Sequence, residues 1–82
     1  MQTLFINGNA YTTYRDLHLA LQRLLHLPAH YGCNADALYD CLSERQETVN
    51  LCILSHGNEA VASALRKCAM VVEDLGGSVK EL

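Results

Sequence analysis

No apolar run in this 82-residue sequence approaches the roughly 18–20 residues needed to span a bilayer. The opening Met1-Gln2-Thr3-Leu4-Phe5-Ile6-Asn7-Gly8 lacks the basic stretch followed by a long apolar one that directs export. The expectation is a cytoplasmic protein with no membrane partner. Cations are scarce too: six Lys and Arg stand against nine Asp and Glu, a formal net charge of −3. Sequence-independent binding to nucleic acid draws its affinity from Lys and Arg contacts to phosphate. Direct nucleic-acid binding is therefore disfavoured, and a basic partner is favoured.

The close CxxC spacing of zinc and redox sites is also missing from Cys33, Cys41, Cys52 and Cys68. Without a secretory context the four are expected as reduced thiols. Cys41, Cys52 and Cys68 lie in apolar stretches and read as small buried hydrophobes. Cys33, beside Gly32, reads as the exposed thiol. Converging catalytic groups are absent as well. His26 and His30 are four apart, but Pro28 breaks the helix that would align them as metal ligands. His18 sits on an amphipathic helix, where it reads as a structural histidine, and His56 lies in a turn. No Ser-His-acid order or Gly-rich phosphate loop appears. The chain is expected not to be an enzyme and to need no metal or cofactor.

What is present is a balanced composition, 50% apolar and 18% charged, which is that of an ordinary globular protein. Residues 1–82 fit one domain, although a chain this short buries only about 60–65% of its unfolded surface. Thr3–Ile6 is apolar and β-prone, with the turn Asn7-Gly8 after it. Residues 14–25 carry apolar side chains at 17, 20, 21, 24 and 25, the spacing of a helix face, with Thr13 as N-cap. Pro28 ends that helix, and 27–33 is a loop. Asn34 caps a second helix over 35–43, which the polar stretch 44–48 closes. Val49–Leu54 suits a largely buried strand. A third helix, over 59–75 with apolar positions at 61, 65, 68, 72 and 75, stops at Gly76-Gly77. A short last strand fits 78–82. The order β-α-α-β-α-β implies an α/β fold, two-layer or three-layer: a small three-stranded parallel sheet packed with three helices. The helices are expected to cover one sheet face well and the other in part.

At about 100° per residue the second helix divides into two sides. Leu38, Cys41 and Leu42 face the core. Asp36, Tyr39, Asp40 and Ser43 share an outward arc of roughly 100°. Asp36 lies in the first turn, where a carboxylate complements the helix dipole by about 0.3–1 kcal/mol. Asp40 has no such support. It stands one turn on, repels Asp36 by about 0.2–0.5 kcal/mol, and no Lys or Arg lies within 35–44. Tyr39 between them is the kind of rigid, part-apolar side chain enriched at interface anchors. His30 and Tyr31 lead into the same helix, so loop and helix are expected to form one patch.

The run Leu27-Pro28-Ala29-His30-Tyr31-Gly32-Cys33-Asn34-Ala35-Asp36-Ala37-Leu38-Tyr39-Asp40-Cys41-Leu42 resembles the barstar family of ribonuclease inhibitors. That family's pattern is LP, an aromatic pair, G, then N-x-D-A-L-W-D-C-L. Ile6-Asn7-Gly8 and Asp16-Leu17-His18 match too, so the likeness covers residues 5–42 closely and the rest by element order. It implies an intracellular inhibitor that plugs the active site of a basic ribonuclease or ribonuclease toxin with this helix and the loop before it. Asp40 would reach the nuclease's phosphate-binding centre, and Asp36 would pair with a neighbouring arginine. His30 takes the place of a stacking tyrosine and Tyr39 that of a tryptophan. Tyr31, Gly32 and Asn34 would shape the loop. The family's type pair is itself a reference case of association steered by opposite charges.

The departures are specific. Glu44 and Arg45 replace a glycine and an aromatic after the second helix, and a cation there suits a strongly basic nuclease poorly. The segment after the second strand is shortened to His56-Gly57-Asn58-Glu59. Glu73 is a weaker candidate for the family's contacting acid on the last helix. The alternative reading keeps the fold but changes the target: an interaction or immunity protein for a basic partner that is not a ribonuclease. Met70, on the polar side of the last helix, reads as an ordinary exposed side chain, and the free chain is expected to be a monomer.

Overall fold

The computed structural model describes residues 2–82. Strand β1 (Gln2–Asn7) alternates, turning Leu4 and Ile6 inward and Thr3, Phe5 and Asn7 outward. A 3₁₀ turn (Gly8–Ala10) leads to helix α1 (Tyr14–Leu25). The Thr13 hydroxyl accepts from the Asp16 amide at 3.2 Å, satisfying one of the first-turn donors that a helix leaves unpaired. His26 closes α1 in the left-handed conformation, φ 53°. Helix α2 (Ala35–Arg45) follows, then strand β2 (Val49–Ser55), helix α3 (Glu59–Asp74) and strand β3 (Ser78–Glu81). Asn58 caps α3, accepting from the Val61 amide at 2.9 Å. Its amide nitrogen also donates to the Thr12 carbonyl at 2.8 Å, fixing the start of α3 beside that of α1.

The strands lie in the order β1-β2-β3, all parallel, with Leu4 beside Leu51 and Leu51 beside Val79. Because each crossover of a parallel sheet is right-handed, stepping in one direction across the sheet puts every helix on the same side. The fold therefore has two layers, not three. Leu4, Ile6, Val49, Leu51 and Ile53 bury against Leu17, Leu21, Leu38, Leu42, Val61, Leu65 and Val72. Among the described residues no helix covers the other face.

That arrangement corrects several expectations. β2 is buried on one side only: Cys52 is half-buried and Leu54 is 45% exposed. An apolar run of this length reads alike whether one face or both are covered. Leu24 is exposed, because the inward arc of α1 runs through Leu17, His18, Ala20, Leu21 and Leu25. Cys33 is buried, since its left-handed backbone, φ 53°, turns the side chain inward. Cys41 is half-buried, and only Cys68 of the remaining three is fully enclosed. Burial pushes the Cys68 thiol up to about 12. Helix α2 also runs two residues past Ser43, for a reason that lies in Arg45.

Candidate protein-binding face

The loop before α2 is held from both ends of a short polar chain. Asn34 accepts from the Ala37 amide through Oδ1 at 2.8 Å and donates to the Gly32 carbonyl through Nδ2 at 3.2 Å. One side chain thus caps the helix and fastens the loop to it. Gly32 passes close over the first turn, where an added Cβ would press on Ala37 at 3.3 Å. Gln22 holds the other end of the loop, donating to the Pro28 carbonyl at 2.8 Å.

Tyr31 does not lie on the outer patch. It is buried in the core cluster, its Oη 2.7 Å from Nδ1 of buried His18 and 3.4 Å from the Asn34 carbonyl. Burial lowers the His18 pKa and raises that of Tyr31, so the imidazole is neutral and the phenol keeps its proton. With its one proton directed to the Asn34 carbonyl, the hydroxyl accepts from His18 Nδ1–H in the tautomer that satisfies both contacts. The reading of His18 as a satisfied structural histidine holds, and Tyr31 acts on the surface only by bracing the loop from beneath. No sequence pattern pairs the two, since they are 13 residues apart and one lies in a non-periodic loop.

Outward, α2 presents the arc read from its periodicity. Asp36, Tyr39 and Asp40 are exposed, while Leu38 and Leu42 on the opposite side are 2% exposed. Among the described residues the one contact within salt-bridge distance joins His56 to Glu81, so neither aspartate of α2 has a cation partner. Ser43 is half-buried, and its hydroxyl donates back to the Asp40 carbonyl at 3.1 Å. His30 is exposed on the loop. His30, Gly32, Asn34, Asp36, Tyr39 and Asp40 are thus the accessible members of the expected patch, with Tyr31 buried and Ser43 half-buried.

Its flanks differ from expectation. Arg45 does not project from the edge: its two Nη atoms donate to the carbonyls of Leu25 and His26 at the end of α1. The planar fork of an arginine suits two such acceptors, and the α1 dipole places negative potential there. The side chain stays at the surface, but its charge is engaged by these carbonyls. This anchorage explains why α2 continues to Arg45.

On the other flank, a hollow of about 640 Å³ opens between the three helices, lined by Tyr14, His18, Asp36, Ser63 and Lys67 among others. Lys67 belongs to α3, and nothing in its local sequence marks it as sharing a hollow with Asp36. Glu73 does not join the acidic arc. It borders a separate hollow with His56, Arg66, Met70 and Glu81, on the β3 side of α3. The apolar stripe of α3 fixes which side of the helix faces the sheet, but not which neighbour lies to its left or right.

A family model described as Barstar (barnase inhibitor) matches residues 1–80 of the chain. No helix among the described residues is long and apolar enough to cross a membrane.

Proposed function

We propose that this chain, which belongs to the barstar family, binds a basic ribonuclease one-to-one and closes its active site with the outward face of α2 and the loop before it. The observation that carries this reading is the pair of exposed aspartates, one helical turn apart around Tyr39, with no cation of their own. A fold selected for stability alone gains nothing from Asp40, which repels Asp36. A nuclease pocket, lined with cations for the RNA backbone, supplies what the pair lacks. Asp40 enters the phosphate-binding centre, Asp36 meets an adjacent arginine, and Tyr39 anchors between them. His30 offers its ring to the partner, with Gly32, Asn34 and buried Tyr31 holding the loop in shape. The role is that of an intracellular antitoxin or immunity protein.

A second reading, a basic partner that is not a ribonuclease, draws on Lys67, which lines the same hollow as Asp36 without pairing with it and gives that flank a mixed sign. One experiment serves both. The immobilised chain is used to recover basic proteins from its native cell, and RNA hydrolysis by each is titrated with free chain. Activity should fall to zero at equal concentrations. Asp40→Ala should weaken inhibition by at least about 30-fold, the ~2 kcal/mol of an interface hot spot. Full inhibition by Asp40→Ala rejects this use of α2, and a recovered partner without nuclease activity favours the second reading. Association should also slow with added salt, which screens charges beyond about 8–10 Å.

A further inference from the structure

All-parallel sheets are found almost only with both faces covered, yet here every helix lies on one side. The bare face is ordered by the strand register. One row across it reads Phe5, Cys52, Lys80, and the next reads Thr3, Asn50, Ser78. Leu54 continues the face beyond Cys52. Phe5 is 63% exposed, an unusual position for the only phenylalanine in the chain. Ser78 donates to Asn50, its Oγ lying 2.7 Å from Asn50 Oδ1, so the serine hydroxyl and the amide oxygen keep a partner when this row is covered. Although the chain carries a net charge of −3, the outward positions of the three strands, 3, 5, 7, 50, 52, 54, 78 and 80, hold no carboxylate.

We infer that this face is where two copies of the chain meet, related by a two-fold axis running along β2. The row itself selects that occupant and that axis. Rotation about β2 lays β1 over β3 of the second copy, so each Phe5 ring meets a Lys80 ammonium, a cation–π contact made twice. Cys52, small and central, lies on the axis, with Leu54 beside it. The other in-plane axis, perpendicular to the strands, would set Lys80 against Lys80 and is disfavoured by like-charge repulsion. The first arrangement keeps strand directions aligned, as packed sheets prefer. Two acidic molecules thus approach through a face on which neither carries an acid.

Three strands about 4.8 Å apart and about five residues long make a face of roughly 15 by 17 Å. That is well under the roughly 800 Å² per partner of a standard stable interface, so the dimer is weak and reversible. The monomer expected from the sequence gives way to this equilibrium at high concentration. Helix α2 lies on the far side of the sheet, so the inference stands apart from the ribonuclease reading.

Sedimentation equilibrium of the reduced full chain from about 10 μM to about 1 mM tests it, since weak association is populated near the upper end. The weight-average mass should climb toward twice the monomer value. Phe5→Lys, which sets a cation against Lys80 of the second copy, should weaken association at least tenfold, and adding Lys80→Glu should restore it. A mass that stays monomeric throughout overturns the inference. So does a dimer that Phe5→Lys leaves unchanged, because the copies would then meet elsewhere. Should Phe5→Lys fail to fold, Lys80→Glu alone must weaken the dimer, and an unchanged constant is equally fatal.

Discussion

On its inward side α2 buries Leu38 and Leu42 against the core, while on its outward side Asp36, Tyr39 and Asp40 stand in solvent without an ion-pair partner. The two sides alternate along the same helix, so propensity and capping serve both equally. What separates them is the source of their energy. The inner residues gain by leaving water. Of the outer aspartates, Asp36 gains only its first-turn dipole interaction, and Asp40 carries a small cost. A helix built this way is stabilised from one side so that the other is free to be specialised.

Four measurements would break or sharpen that contrast. The largest effect belongs inside: Leu38→Ala should destabilise the fold by about 2–5 kcal/mol in urea unfolding, the usual range for emptying a buried leucine site. A loss under about 1 kcal/mol would mean that α2 is not held by its inner face.

Next comes the brace beneath the loop. Tyr31→Phe leaves buried His18 Nδ1 without its hydrogen-bond partner and should cost about 1–3 kcal/mol. The same pair sets an acid limit. Because burial lowers the His18 pKa in the folded state, the unfolded chain binds the proton more readily. The histidine's contribution is complete above its unfolded pKa of about 6.5 and is lost as pH falls from there toward the folded value. Urea midpoints from pH 8 to pH 5 should fall, and His18→Gln should flatten that part of the profile. A wild-type profile that is already flat would contradict the burial of the ring.

The smallest effect has the opposite sign. Asp40→Asn should stabilise the free protein by about 0.2–0.5 kcal/mol by relieving its repulsion with Asp36, even as it weakens partner binding. A destabilised variant would show that Asp40 serves the fold, and the contrast between the two sides of α2 would collapse.

Much of this was legible before any coordinates. Thr13 and Asn34 announce helix starts through side chains that accept first-turn amides, and both do so. The partition of α2 into Leu38 and Leu42 against Asp36, Tyr39 and Asp40 follows from rotation per residue alone. The element order survives intact. What failed to show depends on direction through space. Val49–Leu54 cannot reveal that its second face is bare, because exposed Leu54 and buried Ile53 are chemically alike. A left-handed residue at Cys33 reverses a side chain that composition places outside. Arg45 reads as a free cation until its acceptors, two backbone carbonyls about twenty residues earlier, come within reach. Lys67 and Glu73 take their places from how α3 lies beside its neighbours.

The fork of Arg45 has a kinetic meaning as well. By clasping the end of α1 it fixes the base of the segment that His18 and Tyr31 support at its tip, so the stretch between the two helices is tethered at both extremities. A recognition element that is already rigid surrenders little conformational entropy on docking. Arg45 touches no aspartate of α2, yet loosening it would be felt as a slower encounter, since fewer molecules would arrive in the shape that fits.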